Sequence, residues 1–140
     1  MREILFRGKS IKYKYWHEGE LINTTGKIPP YMPMIIKTSE NGNSEAFDVD
    51  PETVGQYTGV TDKNGKRIFE GDIIRAKIEG GNHEGFTWQN MPVDFQQGAF
   101  CLNDRNGHVF CVLGAFAPSV SLEVIGNIHD NPELLEGGCR

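Results

Sequence analysis

No apolar run in this chain approaches the roughly 20 residues that a membrane-crossing helix needs. The opening Met1-Arg2-Glu3-Ile4-Leu5-Phe6-Arg7 has none of the long apolar centre of a secretory leader. Cysteine is scarce: Cys101, Cys111 and Cys139 are an odd number without framework spacing, and no Cys-x-x-Cys occurs. Neither a disulfide scaffold nor a zinc ribbon is expected from such a set, and a reduced, cytoplasmic setting without a membrane partner is. Positive charge is also short. The net charge is −5, which argues against a protein that coats duplex DNA, because that affinity comes largely from neutralising phosphates. The glycine-rich Gly80-Gly81-Asn82-His83-Glu84-Gly85 lacks the lysine and following helix of a phosphate loop and reads as a hairpin connection. No cofactor is expected.

What is present is strand and turn chemistry in a chain of 140 residues, long enough to bury a core. The expected fold is all-β. An N-terminal β-hairpin region or arm, residues 1–56, packs on a small SH3-like barrel with a short C-terminal helix, residues 57–140, the two forming one compact unit. The charge divides along the same line. Residues 1–15 carry Arg2, Arg7, Lys9, Lys12 and Lys14 against Glu3 alone, so a basic arm precedes an acidic body.

In the arm, Ile11, Tyr13 and Tyr15 alternate with Lys12, Lys14 and Trp16, a period of two that predicts a strand. Glu18-Gly19-Glu20 predicts a turn or bulge before Leu21-Ile22. Lys27 to Pro33, with three prolines, predicts an extended connector. Met34 to Thr38 and Glu45 to Val49 flank Ser-Glu-Asn-Gly-Asn-Ser as a hairpin. Asp50-Pro51-Glu52 predicts a cap and one helical turn.

The body holds two turns of one kind, Asp62-Lys63-Asn64-Gly65 and Asp104-Arg105-Asn106-Gly107, each needing glycine in the left-handed region. With three-residue loops, Asp62 faces Lys66 and Val60 faces Ile68. In the second hairpin Leu102 faces Phe110, Phe100 faces Val112 and Cys101 faces Cys111. Glu70-Gly71-Asp72 bends the chain into Ile73 to Ile78, where Ile74, Ala76 and Ile78 share one face and Arg75 and Lys77 the other. Phe86 to Trp88, Val93 to Phe95, Ala99 to Leu102, Val109 to Leu113 and Leu122 to Ile128 are further strands, with a tight turn at Gln96-Gln97-Gly98. So many short strands suggest a bent barrel. Asn131-Pro132-Glu133-Leu134-Leu135 predicts a terminal helix with an asparagine cap.

Thr53-Val54-Gly55-Gln56-Tyr57-Thr58-Gly59, then Asp62, Asn64-Gly65 and Ile68-Phe69-Glu70-Gly71-Asp72-Ile73-Ile74, resembles the signature of the YopX family. The opening Arg2-Glu3-Ile4 and Phe6-Arg7-Gly8-Lys9 are similar to that family's start. Glu123-Val124-Ile125-Gly126-Asn127-Ile128 with Asn131 to Leu135 is similar to its end. The resemblance implies a soluble, β-rich protein encoded by a bacteriophage or prophage and acting in the bacterial host cell. It implies no activity and no catalytic residue.

Chemistry is sparse. Glu70 and Asp72 lie two apart at a bend with no third ligand beside them, and Asp62 is accounted for by its turn. Cys101, His108 and Cys111 are explained by a hairpin, and His108 has no evident orienting acid, so neither a metal site nor a Cys–His nucleophile is expected. The remaining candidate is the basic aromatic arm: Arg7, Lys9, Lys12, Tyr13, Lys14, Tyr15 and Trp16. Cations interleaved with aromatics suit single-stranded nucleic acid. They equally suit an edge strand with lysines guarding it, or an arm meeting another subunit's acidic body. The expectation is a non-enzymatic protein-binding or assembly module, a homo-oligomer with a protein partner. Single-stranded nucleic acid is the alternative, disfavoured by the overall acidity.

Overall fold

The structure, a computed structural model, describes residues 3–22, 33–104, 106–116 and 118–136. The proline-rich connector, apart from Pro33, lies outside the described residues, as do Arg2, Arg105 and Cys139. The described chain is built from strands, with four short 3₁₀ turns and no α-helix among the described residues. It divides into two compact units, Met1–Tyr57 and Thr58–Arg140.

In the first unit the strands are β1 (Phe6–Lys9), β2 (Trp16–Ile22), β3 (Met34–Thr38), β4 (Ser44–Asp48) and the start of β5 (Gly55–Thr61). Their order across the sheet is β4-β3-β2-β1-β5. The β3–β4 hairpin pairs Met34 with Asp48 and Thr38 with Ser44, as its polar, glycine-containing turn predicts. Ile35 and Val49 are fully buried. Asp50 caps the Pro51–Thr53 turn by accepting from the Glu52 amide at 3.0 Å. The Thr53 hydroxyl then accepts from the Lys9 amide at 2.9 Å and ties the turn to β1.

Three expectations fail in this unit. Residues 11–14 are not strand but the tip of the β1–β2 hairpin, whose last pair is Lys9–Trp16. Lys14 takes φ 61°, and its amide donates to the Ser10 carbonyl at 3.0 Å. The Ser10 amide donates to the Tyr15 carbonyl at 2.8 Å. The period of two had no buried face to answer to: Ile11 to Tyr15 are all exposed. Nor is β1 an edge, since it lies between β2 and β5. Gly19, expected in a turn, lies within β2, where β3 runs too close for a side chain.

The second unit continues β5 and adds β6 (Arg67–Phe69), β7 (Asp72–Ile78), β8 (Met91–Gln96), β9 (Ala99–Asn103), β10 (Val109–Val112) and β11 (Val120–Asn127). Five of them form a sheet in the order β10-β9-β8-β7-β11, antiparallel throughout. Its core is Ile68, Ile74, Met91, Val93, Leu102 and Leu113, with Val60, Trp88, Phe100, Phe116, Leu122 and Val124 against them. β7 has the predicted two faces, Ile74 and Ala76 fully buried and Arg75 exposed. The closure of an SH3-like barrel is not found among the described residues: β10 and β11 end the sheet without pairing to each other. Alternation along a strand reports that it has two faces and is silent on which strands meet last.

Both Asp-x-Asn-Gly turns form as expected, with Gly65 at φ 80° and Gly107 at φ 81°. Asp62 accepts from the Asn64 and Lys66 amides at 2.9 Å each, and Asp104 from the Asn106 and His108 amides at 2.9 and 3.0 Å. Neither glycine has a neighbour within 4 Å of where a Cβ would stand. Ala at either position should therefore cost about 1 kcal/mol from backbone strain alone. Urea denaturation of both variants measures this, and an unchanged midpoint would refute it.

The register of the β9–β10 hairpin departs from the expected one. It starts as predicted with Asn103 against Val109, and then a bulge sets Cys111 opposite Leu102 and Val112 opposite Cys101. The extra residue is Phe110, whose ring lies edge-on to Trp88 with centroids 6.5 Å apart. Cys101 and Cys111 are thus not cross-strand partners, nor are Leu102 and Phe110. Phe86 to Trp88 form no strand either; one bridge joins Thr87 to Lys77. The terminal helix is a 3₁₀ turn, Pro132–Leu135, and Asn131 does not cap it by its side chain. That side chain accepts instead from the Asn127 amide at 3.3 Å.

Candidate functional site

The structure divides the seven arm residues into a base and a tip. Arg7, in β1, is only 8 % exposed, and its guanidinium carbon lies 4.7 Å from the centre of the Trp16 ring. Such cation–π packing secures the start of the hairpin. Lys9 is half-buried in β1, with its backbone amide held by Thr53 and its carbonyl by the Asp50 amide. These three residues build the hairpin. Lys12, Tyr13, Lys14 and Tyr15 form its tip, where Tyr13 is 63 % and Tyr15 68 % exposed. The Lys12 ammonium lies 5.2 Å from the Tyr13 ring centre. Farther along β2, His17 stacks on Phe47 with ring centroids 3.8 Å apart. Burial and the nearby charge of Lys37 lower its pKa, while Glu45 pulls the other way.

The carboxylates of the central motif hold backbone. Asp62 accepts from the Val124 amide at 3.0 Å in addition to its two turn amides. That third donor is available because β11 is the last strand of its sheet, and the Val124 amide faces away from β7 on the same edge as the Leu122 carbonyl that accepts from Lys63. Burial by itself would raise the pKa of Asp62; the amides of Val124, Lys66 and Asn64, with the Lys66 charge, outweigh it and leave the pKa below the ordinary value. Asp72 is 1 % exposed and accepts from the Phe69 amide at 2.7 Å. It is a buried turn acid that sequence reasoning placed only at a bend.

Asp94 lies in a polar cluster the sequence did not indicate. It accepts from Asn103 Nδ2 at 3.0 Å and Gln96 Nε2 at 2.9 Å, and Gln96 also donates to Asn103 Oδ1 at 3.1 Å. Burial opposes ionisation here as well, and the bonds from Asn103, Gln96 and the Phe95 amide lower its pKa overall. Both acids give one pH dependence. A carboxyl whose folded pKa lies below its unfolded value adds stability above the unfolded value, and this is lost as pH falls through the folded one. The urea midpoint should be flat from neutral pH down to about 5 and drop below about 4. Asp62→Asn should be less stable at neutral pH and lose less in acid; an equally steep acid loss would contradict the assignment.

Cys101 is buried, and its thiol pKa is raised by burial and by the charge of Asp94, the opposite of what a nucleophile needs. His108 stands exposed beside Asp104, with Nδ1 3.9 Å from Oδ2. Among the described residues no three His, Cys, Asp or Glu side chains gather as a metal site.

The second unit also carries a cleft of about 310 Å³, lined by Lys63, Arg75, Lys77, Thr87, Ser121 and Glu123. It forms on the outward face of β7 and β11, where Arg75 pairs with Glu123 and Lys77 with Ser121. The Thr87 bridge to Lys77 supplies one wall. Lys63 reaches it because its amide donates to the Leu122 carbonyl at 2.9 Å. The sequence placed Arg75 and Lys77 on one face; the long-range pairings that bring Lys63, Thr87 and Ser121 to them have no local signal.

With the geometry in view, comparisons with known proteins place the chain. No curated protein matches it. A crystal structure of protein EF1440 from Enterococcus faecalis is similar, with a TM-score of 0.57 and 27% identity, covering 97% of this chain and all of the other. The YopX protein family model matches residues 5–136, so the chain belongs to the YopX family.

Proposed function

We propose that this protein is a non-enzymatic accessory module of a phage or prophage that works by binding protein, with the β1–β2 hairpin tip as its contact surface and a second copy of the chain as its first partner. One observation carries the reading: Ile11, Tyr13 and Tyr15 are 43, 63 and 68 % exposed on a loop whose backbone is already hydrogen-bonded. An ordered tip loses little entropy on docking. Tyrosine brings wide contact area with few rotatable bonds, which is why it recurs at interface hot spots. Lys12 and Lys14 give the tip positive charge, and the remainder of the chain is acidic enough to receive it. Against an enzyme stands the use made of the central acids, Asp62, Asp72 and Asp104, each occupied with backbone amides.

Light scattering tests the proposal. The full chain should run as an oligomer at micromolar concentration, and Tyr13→Ser/Tyr15→Ser should shift it toward monomer while its circular dichroism stays the same. A monomeric full chain ends the self-association reading. The exposed Lys12–Tyr13 pair supports single-stranded nucleic acid as the second occupant of the same tip. Salt-sensitive retention on single-stranded DNA that the double variant abolishes would favour it.

A further inference from the structure

We infer that the cleft between Lys63, Arg75, Lys77, Thr87, Ser121 and Glu123 binds a phosphate monoester. The lining sets three cations against one carboxylate in a chain whose net charge is −5. A cation cluster held against that overall charge marks the place where an anion is attracted. The carboxylate does not satisfy the cations. Glu123 Oε1 is 3.6 Å from Arg75 Nη1 and 4.0 Å from Lys63 Nζ, too long for charge-assisted hydrogen bonds. Both cations are 42–49 % exposed, so these contacts hold them weakly. Lys77, the third cation, has no ion pair among the described residues.

The chemistry of the wall selects the ligand class. A guanidinium presents a planar fork of donors that matches two oxygens of one phosphate, and two ammonium groups add point charges around it. Two hydroxyls complete the set. That of Ser121 donates to Glu79 Oε1 at 2.9 Å and that of Thr87 lies 3.4 Å from the Gly85 carbonyl, so both sit on exposed, rotatable bonds at the rim. A carboxylate ligand would offer two oxygens to these donors; a phosphate monoester offers three and carries more charge. At about 310 Å³ the cleft has room for a phosphate and part of what it is attached to. The monoester could belong to a free nucleotide or to the 5′-phosphorylated end of a single-stranded nucleic acid, and the two share the chemistry the cleft reads. The inference is independent of the hairpin tip, because every lining residue lies in the second unit.

Amide NMR of the full chain, titrated at constant ionic strength, tests it. The probes are inorganic phosphate, a 5′-mononucleotide and a short 5′-phosphorylated single-stranded oligodeoxynucleotide, with sodium chloride as the blank. The expected result is saturable shifts at the amides of Lys77, Thr87, Ser121 and Glu123 with a phosphate probe and none with chloride. The tightest probe then identifies the source. Lys77→Gln should weaken binding roughly tenfold. Glu123→Gln should tighten it, since it removes the carboxylate that lines the cleft beside Arg75 and Lys63. A ligand that used the hairpin tip would respond to Tyr13→Ser/Tyr15→Ser and ignore both cleft variants. Absence of shifts at millimolar probe, equal shifts with chloride, or an affinity unmoved by Glu123→Gln overturns the inference.

Discussion

Gly19→Ala should lower stability by about 3 kcal/mol or more, because the added methyl has nowhere to go. In β2 the new Cβ would overlap the carbonyl oxygen of Ile36, and it would stand 2.9 Å from the carbonyl carbon and 3.2 Å from Cγ2 of Ile35. Two of these three atoms are backbone of β3, which is itself pinned between β2 and β4. A side chain could rotate away; a paired strand cannot. Relief would require breaking the β2–β3 register that sets Glu20 against Ile36 and Leu21 against Ile35. Ile35, fully buried, would shift with it. The melting temperature should fall by roughly 10 °C. Gly114→Ala is the control, since nothing lies within 4 Å of that site, and it should fall within about 0.5 kcal/mol of the parent. Equal midpoints for the two variants would show that β3 does not approach β2 so closely.

Asp72→Ala should cost about 2–3 kcal/mol. The Asp72 carboxylate is the acceptor for the Phe69 amide at 2.7 Å, and both residues are 1 % exposed. Removing it leaves that amide buried without an acceptor, which costs more than the net worth of an ordinary hydrogen bond. The damage should spread, because the turn it stabilises ties three strands together. The Gly71 amide donates to the Val93 carbonyl at 2.9 Å, and the Ile128 amide donates to the Gly71 carbonyl at 2.9 Å. Asp72→Asn keeps an oxygen in place and should recover part of the loss. Denaturation with tryptophan fluorescence distinguishes the three proteins, and an Ala variant as stable as the parent would remove Asp72 from this role.

The parts of the fold legible in the sequence were those decided locally. An Asp-x-Asn-Gly segment determines its own turn, because the aspartate accepts from amides two and four residues ahead and the glycine takes the positive φ. Strand β7 was readable because one of its faces is buried at Asp72, Ile74 and Ala76, so its alternation had a physical cause. Ile11 to Trp16 alternates just as regularly and yet begins as a loop, since neither face there meets a core. Residue pattern is informative in proportion to the burial it reports. The β9–β10 register was lost to one extra residue, Phe110, drawn toward an aromatic neighbour 22 positions earlier in the chain. The absence of barrel closure and the cationic cleft are both matters of which distant strands pair. Arg75 and Glu123 become neighbours through a pairing that no local spacing announces.

The bulge at Phe110 also bears on how the protein behaves when concentrated. β10 is the last strand of its sheet, and Val109, Phe110 and Val112 are 38, 47 and 47 % exposed along it. A straight strand of that composition would be a template on which other chains could lay down their own strands and grow into aggregates. The bulge kinks and twists the ribbon at its midpoint, so an incoming strand can keep step for only a residue or two on either side. The irregularity that spoils the simple register thus acts as a colloidal safeguard, keeping an oily rim from becoming the seed of a fibre.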